Sequence, residues 1–326
     1  MPLSNERKHM TEKKIPVILD GDPGHDDAIA WVLAAADPRF DIRGITTVAG
    51  NQTLAKVTYN AQRIAALLGL DCPIAMGREV PMCGDLIIAP NYHGVSGLDG
   101  PALPEPKREV CSCSAVELMA DILKRSEEKV VIIATGPQTN VGTLLVSHPE
   151  LKEKIALIST MGGGLRNGNW TCPAEFNILV DPEAAWIEYH SSVPLQMCGL
   201  DVTEKAMIYP HEWEKIREIG NPVADTVAAW LDFFFIHLSE LGWEGATLHD
   251  PCSVLSLIYP EIFTIKDYYV DIELSGEYSR GATVADYTGN SGKTPNCRCV
   301  VDIDREKFVE ILIESCRRFS AQEVHS

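Results

Sequence analysis

The amino-acid sequence predicts an α/β protein with a mostly parallel central sheet, helices on both faces, additional C-terminal helices and a small antiparallel element. Short apolar runs, typical of buried strands, alternate with polar glycine-containing loops and helical stretches up to about residue 203. This alternation is typical of a parallel sheet covered by helices. After residue 204 the pattern becomes mainly helical, and two alternating segments follow near the C-terminus.

The first half of the chain supplies the predicted sheet. Residues 14–20 form a buried-strand candidate, Pro23 and Gly24 supply a turn, and a helix begins at Asp26. A second strand is predicted at 40–48, followed by a helix that ends near Leu68. Further strands are predicted at 130–134, 156–160 and 195–198, each followed by a polar loop. Because ligands bind at the carboxyl ends of such strands, we expect these loops to form one site.

The second half adds helices and an antiparallel element. A helix is predicted from Pro222 to Leu241, and a shorter one follows the tetrapeptide that begins at His249. Residues 268–274 and 297–303 alternate as antiparallel strands do. With no repeat, low-complexity stretch or linker, residues 15–320 are predicted to be one domain, preceded by a flexible extension over residues 1–14.

Composition narrows the classes of protein. The 326 residues are 45% hydrophobic and carry 28 basic against 46 acidic side chains, a net charge of −18. This charge disfavours nucleic acids and anionic membranes as partners. The ten cysteines are scattered, and we expect free thiols rather than disulfides or a zinc site. Residues 1–14 do not form a signal peptide, and the apolar run 28–36 is too short to cross a membrane, so a cytoplasmic location is expected.

Four aspartates between residues 20 and 27 are the main functional signal: Asp20, Asp22, Asp26 and Asp27. Acidic residues in the first turn of a helix suit its dipole, which accounts for Asp26 and Asp27 but not for the two on the strand end. Close, partly desolvated carboxylates destabilise a protein unless a cation binds them. The cluster predicts a divalent-metal site, for calcium or magnesium. A phosphatase of the haloacid-dehalogenase type, with an aspartate nucleophile, is an alternative that fits the motif less well.

Two further polar clusters follow later strands. Asn169, Glu175 and Asn177 offer paired donors and acceptors of the kind that sugar hydroxyls need. His249 and Asp250 follow a glycine-containing loop and precede a helix. Asp250 would serve either as a plain N-cap or as a metal ligand. His249 would serve as a proton donor to a leaving group, because histidine titrates near neutral pH.

Together these motifs resemble the inosine–uridine-preferring nucleoside hydrolases, from about residue 15 to residue 319. The segments that carry the resemblance are Asp20–Ala30, Thr47–Thr53, Met161–Gly164, Glu175–Asn177 and His249-Asp250. The resemblance implies a Rossmann-like fold, one tightly bound Ca²⁺ and hydrolysis of the N-glycosidic bond of ribonucleosides, as in nucleoside catabolism and salvage. It also implies a homo-oligomer, a tetramer or a dimer.

The resemblance further implies a role for individual residues. Asp22, Asp27, Asp250 and the carbonyl of Thr135 match the metal ligands. Asp22 also matches the general base that deprotonates water, and His249 matches the general acid. The residues that match substrate contacts are Asp26, Asn51, His93, Met161, Asn169, Glu175 and Asn177, with His237 as a substitute contact to the base.

Two questions stay open at this stage. Family members often carry Tyr or Gln before the His-Asp pair, where this chain has residues 235–241, so the sequence does not decide between purines and pyrimidines. His25, in the variable position of the motif, receives no role. The alternatives to a hydrolase are a Mg²⁺-dependent phosphatase and a non-catalytic, Ca²⁺-dependent nucleoside binder.

Overall fold

The computed structural model describes residues 13–319. The extension predicted for residues 1–14 therefore lies, except for its last two residues, outside the described part of the chain, as does residue 320. The strands, numbered in chain order, are β1 (Ile15–Gly21), β2 (Phe40–Thr47), β3 (Ile74–Met76), β4 (Val130–Ala134), β5 (Ile155–Met161), β6 (Leu195–Cys198), β7 (Met207–Ile208), β8 (Ala246–Thr247), β9 (Phe263–Tyr268), β10 (Val270–Ile272), β11 (Thr283–Ala285) and β12 (Cys297–Ile303).

The helices are numbered in the same way. They are α1 (His25–Ala36), α2 (Leu54–Leu68), α3 (Pro90–His93), α4 (Ala115–Arg125), α5 (Thr139–Ser147), α6 (Phe176–Val180), α7 (Pro182–Tyr189), α8 (Leu200–Thr203), α9 (Pro210–Arg217), α10 (Pro222–Glu240), α11 (Pro251–Ile258) and α12 (Arg305–Arg317). Short 3₁₀ helices cover Pro149–Lys154 and Pro260–Ile262. Between residues 13 and 319, no helix combines the length and apolar character that crossing a membrane requires.

The main sheet confirms the predicted fold class. Its strand order is β3-β2-β1-β4-β5-β6-β12-β9, and every pair is parallel except β12 with β9. Alternate residues of β1 point to opposite faces of the sheet. Val17 and Leu19 enter one hydrophobic core, which includes Trp31 of α1 and Trp230 of α10, whereas Ile18 enters the other, formed with α4, α5 and α7.

The C-terminal strands differ from the prediction. The segment predicted as one strand over 268–274 is divided between β9, which ends at Tyr268, and β10, which pairs with β11. Strand β12 matches the predicted range of 297–303, but it joins the main sheet, parallel to β6 and antiparallel to β9. Alternation along a strand reports which face is buried and not which strand is the neighbour, so the pairing could not be predicted.

Sheet register brings the predicted loops together. Gly21 pairs with Thr47, Asp20 with Ala134, and Ala134 in turn with Thr160. The carboxyl ends of β1, β2, β4 and β5 therefore lie side by side. The loops that follow these strands form one edge of the molecule, as the sequence predicted.

Candidate active site at the carboxyl edge of the sheet

The aspartate motif lies at the floor of the site. The backbone of two neighbouring loops approaches the Asp22 side chain very closely. Strand β1 ends at Gly21, Pro23 and Gly24 turn the chain, and α1 begins at His25. A Cβ atom on Gly136, which follows β4, would lie 2.5 Å from Oδ1 of Asp22, and one on Gly50 would overlap Oδ2 of the same carboxylate. Glycine at both positions lets two loops close over the Asp22 side chain.

Three carboxylates meet at one point beneath the cavity. Ligand oxygens of Asp26, Asp27 and Asp250 lie within 4.8 Å of one another, and all three residues are buried. Burial, followed by the charges of Asp27 and Glu175, raises the pKa of Asp26 to about 8. Burial and the neighbouring aspartates likewise raise the pKa of Asp250. So many buried carboxylates cannot all be ionised in the protein alone, and a hard divalent cation is the group that would stabilise them.

Asp22 lies beside this trio. Its Oδ2 accepts a hydrogen bond of 2.6 Å from the backbone N–H of Asn51. Its Oδ1 is buried and has no hydrogen-bond partner among the described residues. Burial and the charges of Asp27 and Asp26 raise the pKa of Asp22 well above its usual value. The unpartnered oxygen is consistent with an aspartate that faces an ion or a water, so the donor set fits the predicted metal.

Asp27 and Thr135 are tied together at the end of β4. The Thr135 hydroxyl donates to Oδ1 of Asp27 at 2.6 Å, and the backbone N–H of Gly24 donates to Oδ2 at 3.0 Å. The Thr135 carbonyl accepts a hydrogen bond of 2.9 Å from the side-chain amide of Asn177. A carbonyl oxygen has two lone pairs, so this bond leaves one for a cation.

Asp20 has a different role from the other aspartates of the motif. Its Oδ1 accepts hydrogen bonds from Thr46 at 2.6 Å and from Asn140 at 2.8 Å. The residue is buried and does not line the cavity. Burial raises its pKa to about 7. Asp20 thus joins β1 to β2 and α5 below the site.

Above the carboxylates lies a cavity of about 340 Å³. Of the residues that the sequence predicted, those that line it are Asp26, Asn51, His93, Thr135, Met161, Asn169, Glu175, Asn177, His249 and Asp250. Asp22 and Asp27 lie outside its lining, and so does His237. The ring of His237 instead contacts that of Tyr92 edge to face, with the ring centroids 4.7 Å apart. Tyr92, in turn, lines the cavity.

The polar wall is held rigid by backbone hydrogen bonds. Glu175 caps α6 and accepts hydrogen bonds from the N–H groups of Asn177, Ile178 and Gly163, at 2.9, 3.1 and 2.9 Å. Burial nevertheless raises the pKa of Glu175 to about 7. Asn169 accepts a hydrogen bond of 2.9 Å from the N–H of Phe176. These hydrogen bonds therefore hold both side chains in fixed positions at the wall of the cavity.

His249 and Asp250 enter the site from the start of α11. The side chain of Asp250 makes no capping hydrogen bond, so the simple N-cap interpretation is wrong. Nδ1 of His249 lies 2.8 Å from the hydroxyl of Thr203, and Nε2 lies 3.2 Å from that of Thr247. Burial lowers the pKa of His249 to about 4, so the ring is neutral at neutral pH in this environment.

Sequence reasoning missed the apolar end of the cavity. Its aromatic and aliphatic lining is made by Tyr92, Trp170, Phe176, Phe234, Leu238, Leu241 and Trp243. Trp170 contacts Phe176 with ring centroids 4.8 Å apart. Several of these residues lie in loops or short helices, where no periodic pattern marks them. Only Leu238 and Leu241 fall in a segment that the sequence had marked, residues 235–241, where the resemblance places contacts to the base.

A sheet edge that carries buried carboxylates, a polar wall and an aromatic end fits a ligand with one polar and one aromatic part, and the solved structures similar to this chain include nucleoside hydrolases. The purine-preferring ribonucleoside hydrolase from Gardnerella vaginalis superposes with a TM-score of 0.86 at 28% identity, over 93% of this chain and 98% of that one. This similarity extends over nearly the whole molecule.

Residues 17–310 match the family model of the inosine-uridine preferring nucleoside hydrolases, and the chain belongs to that family. It is 53% identical over 309 residues to the pyrimidine-specific ribonucleoside hydrolase RihA of Enterobacter sp. (strain 638), across 94% of this chain and 99% of that protein. The RihA of Citrobacter koseri is 54% identical over 303 residues, across 92% and 97%. The chain is therefore an enzyme, a ribonucleoside hydrolase, which confirms the resemblance and does not favour the phosphatase or the non-catalytic binder.

Proposed function

We propose that this ribonucleoside hydrolase acts on pyrimidine ribonucleosides and binds Ca²⁺ at its aspartate cluster. The observation that carries the proposal is the buried trio of Asp26, Asp27 and Asp250 beneath a cavity with one polar and one aromatic end. The two RihA enzymes that this chain resembles at more than 50% identity are named as pyrimidine-specific, which supports the choice of base. Assembly as a dimer or tetramer is part of the same proposal.

Asp22, Asp27, Asp250 and the Thr135 carbonyl would hold the ion, with Asp26 beside them. All are oxygen donors, and calcium accepts six to eight oxygens in flexible geometry, so a crowded and partly irregular set suits it better than magnesium. When bound, the ion would orient the substrate hydroxyls and make a bound water more acidic. It would also stabilise the ionised carboxylates, whose pKa values are raised chiefly by burial and, except at Asp27, also by neighbouring negative charges.

Asp22 is the proposed general base. The N–H of Asn51 fixes one of its oxygens, and the other has no protein partner among the described residues. A carboxylate held in this way can take a proton from water without reorganising. General-base catalysis of this kind contributes typically about 10²–10⁴-fold in rate.

The polar wall is the proposed ribose site. Cleavage of an N-glycosidic bond passes through an oxocarbenium-like state with positive charge on the sugar. Carboxylates fixed near the ribose, Asp26 and Glu175, would stabilise that charge because they need not move to do so. Asn51, Asn169 and Asn177 would orient the hydroxyls, and Met161 would lie against the sugar.

His249 and His93 are the proposed contacts to the leaving base. Because burial lowers its pKa, a protonated His249 would be a stronger acid than an ordinary histidine, and the neutral ring still donates one hydrogen bond. The hydroxyls of Thr203 and Thr247 hold the ring at the cavity wall. Protonation of the departing base by this residue is the expected second half of the acid–base chemistry.

Replacement of Asp22 tests the proposal. Asp22→Asn and Asp22→Ala should lower the rate of ribose release from uridine and cytidine by about 10²–10⁴-fold, measured with a reducing-sugar assay at saturating Ca²⁺. Asp41→Asn, which alters a partly exposed aspartate paired with Arg43, is the matched control and should keep its activity. Full activity in either Asp22 variant would contradict the base assignment. Faster hydrolysis of inosine than of uridine would contradict the pyrimidine assignment.

A further inference from the structure

One acidic side chain of the cavity wall has no part in the proposed mechanism. Among the described residues, the acidic residues that line the cavity are Asp26, Glu175, Glu204 and Asp250. The proposed mechanism assigns three of them to the metal ion and the ribose, and Glu204 is left. Glu204 is half-buried, so its carboxylate loses part of its hydration, and a ligand with a hydrogen-bond donor would replace it.

Glu204 lies beside the proposed contacts to the leaving base. It directly follows Thr203, the last residue of α8, whose hydroxyl is 2.8 Å from Nδ1 of His249. Further along, the backbone N–H of Leu248 donates to the carbonyl of Ala206 at 2.9 Å. The segment that carries Glu204 therefore runs next to the segment that carries His249. Because His249 is a proposed contact to the base, Glu204 is expected to face the same part of the substrate.

One oxygen of this carboxylate is held in place, and the other is open to a ligand. The side-chain amide of Asn167, in the loop between β5 and α6, donates to Oε1 at 3.2 Å. No described residue hydrogen-bonds to Oε2. Burial raises the pKa of Glu204, and among the described residues only the charge of Asp201 adds to this shift. Glu204 therefore lies apart from the carboxylates beneath the cavity and offers an acceptor away from the metal site.

We propose that Glu204 is a specificity-determining residue: it accepts a hydrogen bond from the 4-amino group of cytosine and so raises the preference for cytidine over uridine. The amino group offers N–H donors, and a carboxylate is an acceptor that pairs with it. Uracil carries a carbonyl oxygen at the same position, and two acceptors that face each other repel. Position 4 is remote from the glycosidic bond, so a residue apart from the metal can reach it. The inference rests on the proposed pyrimidine hydrolase activity and deepens it.

The ratio of kcat/KM for cytidine to kcat/KM for uridine tests the proposal. Glu204→Gln and Glu204→Ala should each lower this ratio about tenfold, because cytidine loses a hydrogen bond to a charged group and uridine loses a repulsion. Both substrates are measured on one preparation of full-length enzyme at pH 8 and saturating Ca²⁺, so a reduced amount of folded protein cancels from the ratio. Glu218→Gln is the matched control and should keep the wild-type ratio. Glu218 follows α9 as Glu204 follows α8, but it is exposed and does not line the cavity.

Asn167→Ala separates recognition of the base from support of the loop. This variant removes the amide partner of Glu204 and keeps the carboxylate, so the wild-type preference should remain. An unchanged ratio in the Glu204 variants overturns the proposal. An equal fall in Asn167→Ala also overturns it, since Glu204 would then act only by fixing the loop. If wild type hydrolyses neither cytidine nor uridine, the proposed function fails and the inference with it, whereas an unmoved ratio in active enzymes removes the inference alone.

Discussion

Glu188 is buried near the end of α7, and both of its carboxylate oxygens lack a hydrogen-bond partner among the described residues. Burial, with a smaller contribution from the charge of Asp20, raises its pKa to about 8. At neutral pH the side chain is therefore mostly protonated. An apolar site that holds a neutral carboxyl is tolerated, whereas the same site with an ionised carboxylate is costly. Stability should depend on pH for this reason.

We expect Glu188→Gln to remove part of that pH dependence. The pKa of the folded state is raised above the ordinary value of 4.5, so ionisation of this carboxyl has no effect on stability below about pH 4.5, lowers stability progressively as pH rises from there, and reaches its full effect once pH has passed about 8. Across this window the slope is at most about 1.4 kcal/mol per pH unit. Urea unfolding at pH 5.5, 7 and 9, with saturating Ca²⁺, should show wild type losing stability relative to the variant. Glu79→Gln, at an exposed position, is the control. Parallel curves for wild type and Glu188→Gln would contradict this interpretation.

Single residues also show what the sequence could and could not reveal. Asp22, Glu175 and His249 were predicted as site residues because their motifs are dense in chemical groups and follow strand ends. Tyr92 and Trp243, which line the cavity, were not predicted because isolated aromatic residues in short helices and loops carry no pattern. His25 received no role, and its contact with His93, 68 positions along the chain, could not be predicted from local sequence.

At the level of elements, the loop between β5 and α6 shapes the mouth of the cavity. It carries Asn169 and Trp170, and the Trp170 ring packs on Phe176 at the first turn of α6. Trp170 is 38% exposed although it is a large apolar residue. An aromatic side chain in this position is available to contact the base of a bound nucleoside.

Trp170→Ala should raise KM for uridine by roughly two- to tenfold, the range that one aromatic contact supplies, and should change kcat less. The carboxylates that perform the chemistry are untouched by this substitution. Trp186→Ala is a matched control, because Trp186 is 40% exposed on α7 and stacks on His190 away from the cavity. Steady-state kinetics of both variants with uridine measure KM and kcat and test this prediction. An equal change in both, or a fall confined to kcat, would exclude Trp170 from substrate binding.

Elements were predicted well where they lie in the parallel sheet. The ranges of β4 and β6 match the prediction at both ends, and β1, β2 and β5 differ only at their termini. These strands are buried on both faces, so they appear as continuous apolar runs. The pairing of β12 and the division of 268–274 could not be predicted, because they depend on which strand lies alongside and not on local composition.

At the scale of the whole molecule, the proposed metal ligands connect distant parts of the chain. Asp22 and Asp27 lie at the start of the fold, Thr135 follows β4, and Asp250 precedes α11. An ion bound by all of them cross-links the sheet to helices on one of its faces. Such an ion binds the folded state and not the unfolded chain, so it should stabilise the protein.

Addition of Ca²⁺ to metal-free protein should therefore raise Tm. At a free concentration about one hundred times Kd, the gain is about 2.7 kcal/mol, or a few degrees for a chain of this size. Differential scanning calorimetry with and without EDTA measures it. In Asp250→Asn the shift should be much smaller, whereas Asp41→Asn should retain it. A Tm that does not respond to Ca²⁺ in wild type would remove the basis for a calcium site.

The late position of Asp250 also has a consequence for biosynthesis. The segment from β1 to α1, which carries Asp22 and Asp27, leaves the ribosome long before Asp250 does, since Asp250 lies 223 positions after Asp27. A nascent chain that ends before α11 holds crowded acidic groups without the last carboxylate of the trio. Loading of the ion should accordingly be a late event, completed only when nearly the entire polypeptide has been translated.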